Sequence, residues 1–215
     1  MTPDPSSAKN RLVEKTADEV LRKILRAIGN APENVYTPSD DTFLMLDAIA
    51  KISVGGKQVL DVGTGSGILG LFCASRGALV TVTDVDELAL EHAQKAARVL
   101  GLSFQTILSD MFSNVQGKFD LVTFNPPYLP SSTVEDRTVD GGRGGIALSK
   151  RFLGGLADYL KCDGTALLLI STLNDSGSLI SEANPEFQCE VLAKRQLFFE
   201  ELQVLSVRFR DDLAR

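Results

Sequence analysis

The sequence predicts an α/β fold, a mostly parallel sheet with helices on both faces that closes in an antiparallel hairpin. Three observations predict it. Strand-like and helix-like stretches alternate through most of the 215 residues, and parallel strands need a crossover that a helix supplies. Val59-Leu60-Asp61-Val62 runs directly into Gly63-Thr64-Gly65-Ser66-Gly67, and a helical pattern begins at Ile68. A strand, a glycine turn and a helix N-terminus together open a ligand crevice. The last two apolar segments are both strand-like with only a short stretch between them, which reads as a hairpin.

Taken in order, residues Lys9 to Ile28 place Val13, Val20, Ile24 and Ile28 at helical spacing with charged residues between them, an amphipathic helix that packs on the domain. Its basic residues Arg11, Lys15, Arg22, Lys23 and Arg26 alternate with Glu14, Asp18 and Glu19, so they read as a solvated face. A linker over Gly29 to Tyr36 leads to a second helix, Asp41 to Ile52, whose apolar side is Phe43, Leu44, Leu46, Ile49 and Ile52, with Ser39 or Asp40 as its cap. Strands follow at Gln58 to Val62, Leu79 to Thr83, Phe104 to Leu108, Phe119 to Phe124 and Thr165 to Ser171. Helices alternate with them at Ile68 to Arg76, Glu87 to Leu100 and Ile146 to Leu160. The hairpin strands are Cys189 to Arg195 and Leu202 to Arg210, the second alternating Leu205, Val207 and Phe209 against Ser206 and Arg208. The length suits one compact domain, organised as a helical extension over 1–30 and a catalytic domain over 31–215.

Composition narrows the function. A chain that is 44% hydrophobic and 23% charged is globular, and a formal charge of −6 with a pI near 4.9 argues against a general nucleic-acid-binding face. Met1 to Asn10 is polar and carries Pro and Ser, so neither a signal peptide nor a membrane anchor is expected. Cys73, Cys162 and Cys189 are scattered, which fits reduced thiols acting as buried small hydrophobes in a cytoplasmic protein. His92 is the only histidine, lies in a helical pattern and reads as a solvated surface residue, so a Ser/His/Asp triad or a multi-histidine metal site is not expected.

Two constellations carry the chemistry. The first is the glycine turn with its carboxylates. Glycines let the backbone turn sharply and approach a ligand closely. Asp61, just before them, can receive the cationic amino group of a methionyl tail, whereas it would repel a pyrophosphate. Asp84, at the end of the next strand, can accept two hydrogen bonds from the hydroxyl pair of a ribose. Asp110, after the third strand, is placed to accept from an adenine N6 amino group, with Val85 and Met111 as apolar neighbours of the base. These features favour S-adenosylmethionine over a nicotinamide dinucleotide, although Gly65-Ser66-Gly67-Ile68-Leu69-Gly70 formally matches the GxGxxG spacing.

The second constellation is Asn125-Pro126-Pro127-Tyr128. Consecutive prolines fix φ and donate no N–H, so the turn offers carbonyl acceptors with no competing donors. A planar NH2 group can lodge there, one hydrogen on the Asn125 side-chain oxygen and the other on the Pro126 carbonyl, with Tyr128 as an aromatic wall. The nitrogen lone pair is then aimed at an electrophilic methyl carbon for in-line attack. No general base is required, because the proton can leave after transfer.

With these residues together, the chain resembles class I S-adenosylmethionine-dependent methyltransferases, specifically the HemK/PrmC-like family that methylates glutamine N5. Val35-Tyr36-Thr37-Pro38-Ser39-Asp40-Asp41-Thr42-Phe43-Leu44-Met45-Leu46-Asp47-Ala48 is similar to the opening segment of the family's archaeal and eukaryotic branch. Asp140 to Gly145 is similar to its glycine loop, and Gln203 to Val207 to its closing strand. The resemblance implies a Rossmann-like, seven-stranded, mostly parallel sheet. It implies that Thr42, Asp61, Gly63, Gly65, Gly67, Asp84, Val85, Asp110 and Met111 hold S-adenosyl-L-methionine, released as S-adenosyl-L-homocysteine. It places Asn125 against both cofactor and substrate amide, and Pro126, Pro127 and Tyr128 around the substrate. The implied substrate is the glutamine of the Gly-Gly-Gln loop of a class 1 peptide-chain release factor, and an implied partner is a small zinc-binding activator protein. Ser39-Asp40 replaces the family's Ala-Glu, and Asp61 stands where many relatives carry Glu.

Other readings stay open on the residues alone. The same turn suits an exocyclic amino group of adenine or guanine in DNA or RNA, against which stand the acidic charge and the lack of a basic, aromatic-lined groove. A dinucleotide-dependent oxidoreductase would need an acid, base or metal that the motif does not supply. A non-catalytic cofactor-binding subunit would carry a degraded turn, and this one is intact. Gly141 to Gly145 is a candidate clamp for an extended substrate loop, with Arg143 in reach of a substrate carbonyl. The uncharged run Leu79 to Thr83 would be open to a partner strand if it lay at the sheet edge.

Overall fold

A computed structural model describes residues 18–32, 35–127, 146–174, 179 and 185–210. Helix α1 is described over 18–28, followed by α2 (Asp40–Ala50), β1 (Gln58–Val62), α3 (Ile68–Ser75), β2 (Leu79–Asp84), α4 (Glu87–Leu100), β3 (Gln105–Leu108) and β4 (Phe119–Phe124). Then come α5 (Ala147–Gly155), a short 3-10 turn (Leu156–Asp158), β5 (Leu160–Ser171), β6 (Phe187–Gln196) and β7 (Glu201–Phe209). The sheet has seven strands in the order β3-β2-β1-β4-β5-β7-β6. The first five are mutually parallel, while β7 runs antiparallel to both β5 and β6.

Alternation along the strands feeds two cores. Val59, Val80, Val82, Leu121, Leu167, Leu169 and Val204 point to one face, where they pack with Met45 and Ile49 of α2, Leu71 of α3, Leu90 of α4, and Ile24 and Ile28 of α1. Leu60, Val62, Val122, Phe124, Leu168, Leu205 and Val207 point to the other, against Phe152 and Leu153 of α5 and Phe112. The central strands are therefore apolar on both faces, as a sheet sandwiched between helices requires.

Several expectations are corrected. The Leu79 to Thr83 run is an inner strand between β1 and β3, so the edge falls to β3, which is uncharged as well and leaves Leu108 half-exposed. Ser39 occupies the N-cap of α2 but its side chain makes no cap bond, and the helix starts at Asp40. The helix expected to reach Leu160 stops at Gly155, and β5 starts earlier than Thr165. Phe119 pairs with Leu160 but Leu121 with Thr165, so the polar segment 161–164 leaves the register. That irregularity leaves Cys162 exposed, while Cys73 is buried and Cys189 half-buried, and all three are free thiols. His92 is half-buried rather than solvated, and burial lowers its pKa. Residues 9–17 of the expected first helix, Tyr128, and the Asp140 to Gly145 loop with Arg143 lie outside the described residues. Among the described residues no helix is long and apolar enough to cross a membrane.

Candidate active site

The parallel registers line up the strand ends that matter. Val62 of β1 pairs with Thr83 of β2 and Phe124 of β4, and Asp84 pairs with Leu108 of β3. Asp110, Gly63 and Asn125 thus follow the C-terminal ends of β3, β1 and β4, and Asp84 is the last residue of β2 between β3 and β1, so the four share the rim where α/β sheets bind ligands.

At the centre is the glycine turn. Thr64 N–H donates to the Thr83 carbonyl at 2.8 Å and Gly67 N–H to the Thr64 carbonyl at 2.9 Å, which closes the loop tightly over β1. Gly67 has φ of 82°, and a Cβ there would lie 2.5 Å from the Ala93 Cβ of α4. A glycine is obligatory on both counts. Gly65 N–H donates to Asp84 Oδ2 at 2.9 Å, and Asp86 N–H to Asp84 Oδ1 at 3.0 Å. Burial raises the Asp84 pKa, opposed by these backbone donors.

Asp61 is 1% exposed. Thr64 Oγ1 donates to its Oδ2 at 2.7 Å, Thr123 Oγ1 to its Oδ1 at 2.8 Å, and the Gly70 N–H also bonds it. Desolvation nonetheless dominates and pushes its pKa up to about 6, with the Asp84 charge adding to the rise. Among the described residues it has no ion-pair partner. A buried carboxylate without a cation is a fit for a cationic ligand group.

Asp110 is solvent-exposed and paired with Arg151 of α5 at 2.8 Å, a partner the sequence did not suggest. Val85 is 64% exposed at the same rim, and Met111 takes a left-handed backbone with φ of 52°. Thr42 is buried in the first turn of α2.

Asn125 is held by a residue that motif reading missed. Its Nδ2 donates to Asp41 Oδ2 at 3.2 Å, and its Oδ1 is buried without a hydrogen-bond partner among the described residues. Asp41, itself 2% exposed, also accepts from Tyr36 OH at 2.7 Å, from Thr42 N–H at 2.5 Å and from Thr42 Oγ1 at 3.1 Å. Pro126 is buried beside Asn125 and Pro127 half-buried. The only hint in the sequence is an acid in the first turn of a helix, which reads as an ordinary partner of the helix dipole.

Residues 39–199 match the methyltransferase small domain family. The chain belongs to that family. A protein of Methanocaldococcus jannaschii assigned as a protein N5-glutamine methyltransferase is 36% identical over 182 residues, spanning 80% of this methyltransferase and 90% of the relative. The Mtq2–Trm112 complex of E. cuniculi, responsible for methylation of the eRF1 translation termination factor, superposes with a TM-score of 0.70. That match covers 82% of this chain and 99% of that one at 22% identity. The 16S rRNA N2 G1207 methyltransferase of T. thermophilus, in complex with AdoMet and guanosine, gives a TM-score of 0.63 at 24% identity over 81% of this chain and 44% of that one. At those identities the two structures establish the shared methyltransferase fold, mostly parallel sheet and antiparallel hairpin included.

Proposed function

We propose that this methyltransferase modifies the N5 amide of a glutamine in the Gly-Gly-Gln loop of a class 1 peptide-chain release factor, with S-adenosyl-L-methionine as its cofactor. The observation that carries the proposal is the buried Asn125 Oδ1 at the end of β4, which has no hydrogen-bond partner among the described residues. An acceptor without a donor, beside two prolines that offer no N–H, is complementary to a planar NH2 group. The Methanocaldococcus relative's assignment to glutamine N5 supports an amide over a base, as does the acidic charge of −6.

S-adenosylmethionine, when bound, supplies an electrophilic methyl group. Asp61 takes its ammonium, Asp84 its ribose hydroxyls, and Asp110 with Val85 and Met111 its adenine, while Gly63, Gly65 and Gly67 let the backbone approach and Thr42 closes the side of α2. Asn125 Oδ1 and the Pro126 carbonyl accept the two amide hydrogens and turn the nitrogen lone pair toward the reacting carbon. Tyr128 and Pro127 flank the substrate. The amide nitrogen is a poor nucleophile, and these hydrogen bonds strengthen as positive charge builds on it.

The same reading includes a small zinc-binding activator subunit, supported by the Trm112 partner of the E. cuniculi protein and by the uncharged β3 edge. It assigns residues 1–30 to an extension on a catalytic domain of 31–215 and places the protein in the cytoplasm. Radiolabelled methyl transfer to the release factor, to its Gln→Ala variant, and to DNA and RNA tests it. Label is expected on the wild-type factor alone. Label that persists on the Gln→Ala variant, or appears on nucleic acid in preference, rejects the target.

A further inference from the structure

We propose that Asp41 is a positioning residue that fixes which end of the Asn125 amide faces the substrate. This rests on the reading that Asn125 Oδ1 accepts a hydrogen from the target NH2. A primary amide has nearly the same shape in its two flipped orientations, yet only one is useful here. With the oxygen forward, Asn125 accepts from the substrate; with the nitrogen forward, two NH2 groups confront each other.

An ionised carboxylate can only accept. Asp41 Oδ2, 3.2 Å from Asn125 Nδ2, therefore selects the orientation that turns Oδ1 away from Asp41, where it has no partner among the described residues. Asp41 cannot itself swing toward the substrate, because Tyr36 OH, Thr42 N–H, Thr42 Oγ1 and Asn125 Nδ2 use its four acceptor positions. Its place in the first turn of α2 lets the helix N-terminus offset its buried charge. The result is a relay of position, from the Tyr36 linker and helix α2 across to the end of β4. Tyr36 also packs over the glycine turn, its Cβ 3.7 Å from where a Cβ on Gly65 would fall. The segment that orients Asn125 thus also lines the cofactor turn.

The test has an arm that does not depend on turnover. In protein labelled with 15N-asparagine, the Asn125 side-chain signals are identified by their loss in Asn125→Ala. They are expected to exchange slowly with solvent in the wild-type protein and to shift and exchange faster in Asp41→Asn, whose amide can face Asn125 either way round. Asn125 signals that already exchange freely in the wild type overturn the proposal, whether or not the variant folds.

In the kinetic arm, Asp41→Asn lowers kcat for the glutamine substrate by roughly 10–100-fold, the usual effect of removing a partner that orients a working side chain, with the substrate KM little changed. Because Asp41 acts through Asn125, the same substitution made in Asn125→Ala changes kcat by less than about 3-fold. Equal losses in the two backgrounds overturn the proposal. If the wild-type protein shows the protected amide but methylates no glutamine, the proposed substrate falls and the orienting role of Asp41 stands.

Discussion

Replacing Asp61 by Asn should make the cofactor-free protein more stable and the cofactor-binding protein worse. In the folded chain burial lifts the Asp61 pKa from 3.8 to about 6. A raised carboxyl contributes stability that is fully present below its unfolded pKa and is lost as pH rises through the folded one. At neutral pH the ionised group therefore destabilises the fold by about 3 kcal/mol, two pK units at roughly 1.4 kcal/mol each. Asparagine cannot ionise, but it replaces one acceptor oxygen by a donor, so a hydrogen bond from Thr64 or Thr123 is weakened at a cost of about 1 kcal/mol. The net gain of about 2 kcal/mol corresponds to roughly 4–8 °C in Tm for a chain of this size. Thermal unfolding of wild type and Asp61→Asn, without cofactor, at pH 7.5 and at pH 4 reads it directly: the variant leads at pH 7.5 and loses that lead at pH 4. Calorimetric titration should show S-adenosylmethionine bound at least tenfold more weakly by the variant, and by wild-type protein as pH falls below about 6, since the ammonium then meets a neutral carboxyl. A variant that is less stable at pH 7.5, or whose advantage is the same at both pH values, refutes the reasoning.

Gly67→Ala should be strongly destabilising, by about 2–5 kcal/mol, because a left-handed backbone and an overlap with Ala93 are both imposed. Gly65→Ala carries the same left-handed backbone cost of about 1–2 kcal/mol, with φ of 52°, but meets only ordinary contact with Tyr36, so it should lower Tm less than Gly67→Ala while weakening cofactor binding, and thermal unfolding of the two separates the Ala93 overlap from the backbone cost. Asp110→Ala should leave stability within about 1 kcal/mol, since its partner Arg151 is an exposed ion pair, while lowering cofactor affinity measured by titration. Unchanged affinity would remove Asp110 from the cofactor site.

What could be read in advance was local. Helix α4 runs from Glu87 to Leu100 as expected, because Asp86 caps its start and Gly101 ends it in the left-handed conformation. The turn from β1 to α3 was legible for the same reason, as glycines placed between an apolar strand and an apolar helix have few other uses. Strand order was not. Whether the apolar run of β2 lies inside or at the edge depends on β3 pairing with it, a contact no local pattern encodes. The break in β5 was hidden because Lys161-Cys162-Asp163-Gly164 looks like a turn but sits inside a strand. Asp41 reads in the sequence as the first residue of a helix within the opening segment and nothing more, since its partner Asn125 lies 84 residues away.

The central claim is that Asn125 presents an acceptor to the substrate amide. Its most direct test is the single-turnover rate of methyl transfer to the glutamine substrate by Asn125→Ala, at saturating cofactor and substrate and with cofactor binding verified. Losing one preorganised group of this kind should slow the reaction by about 10²–10³-fold, or roughly 2.7–4 kcal/mol. A rate near that of the wild-type enzyme, with cofactor bound, would contradict the account.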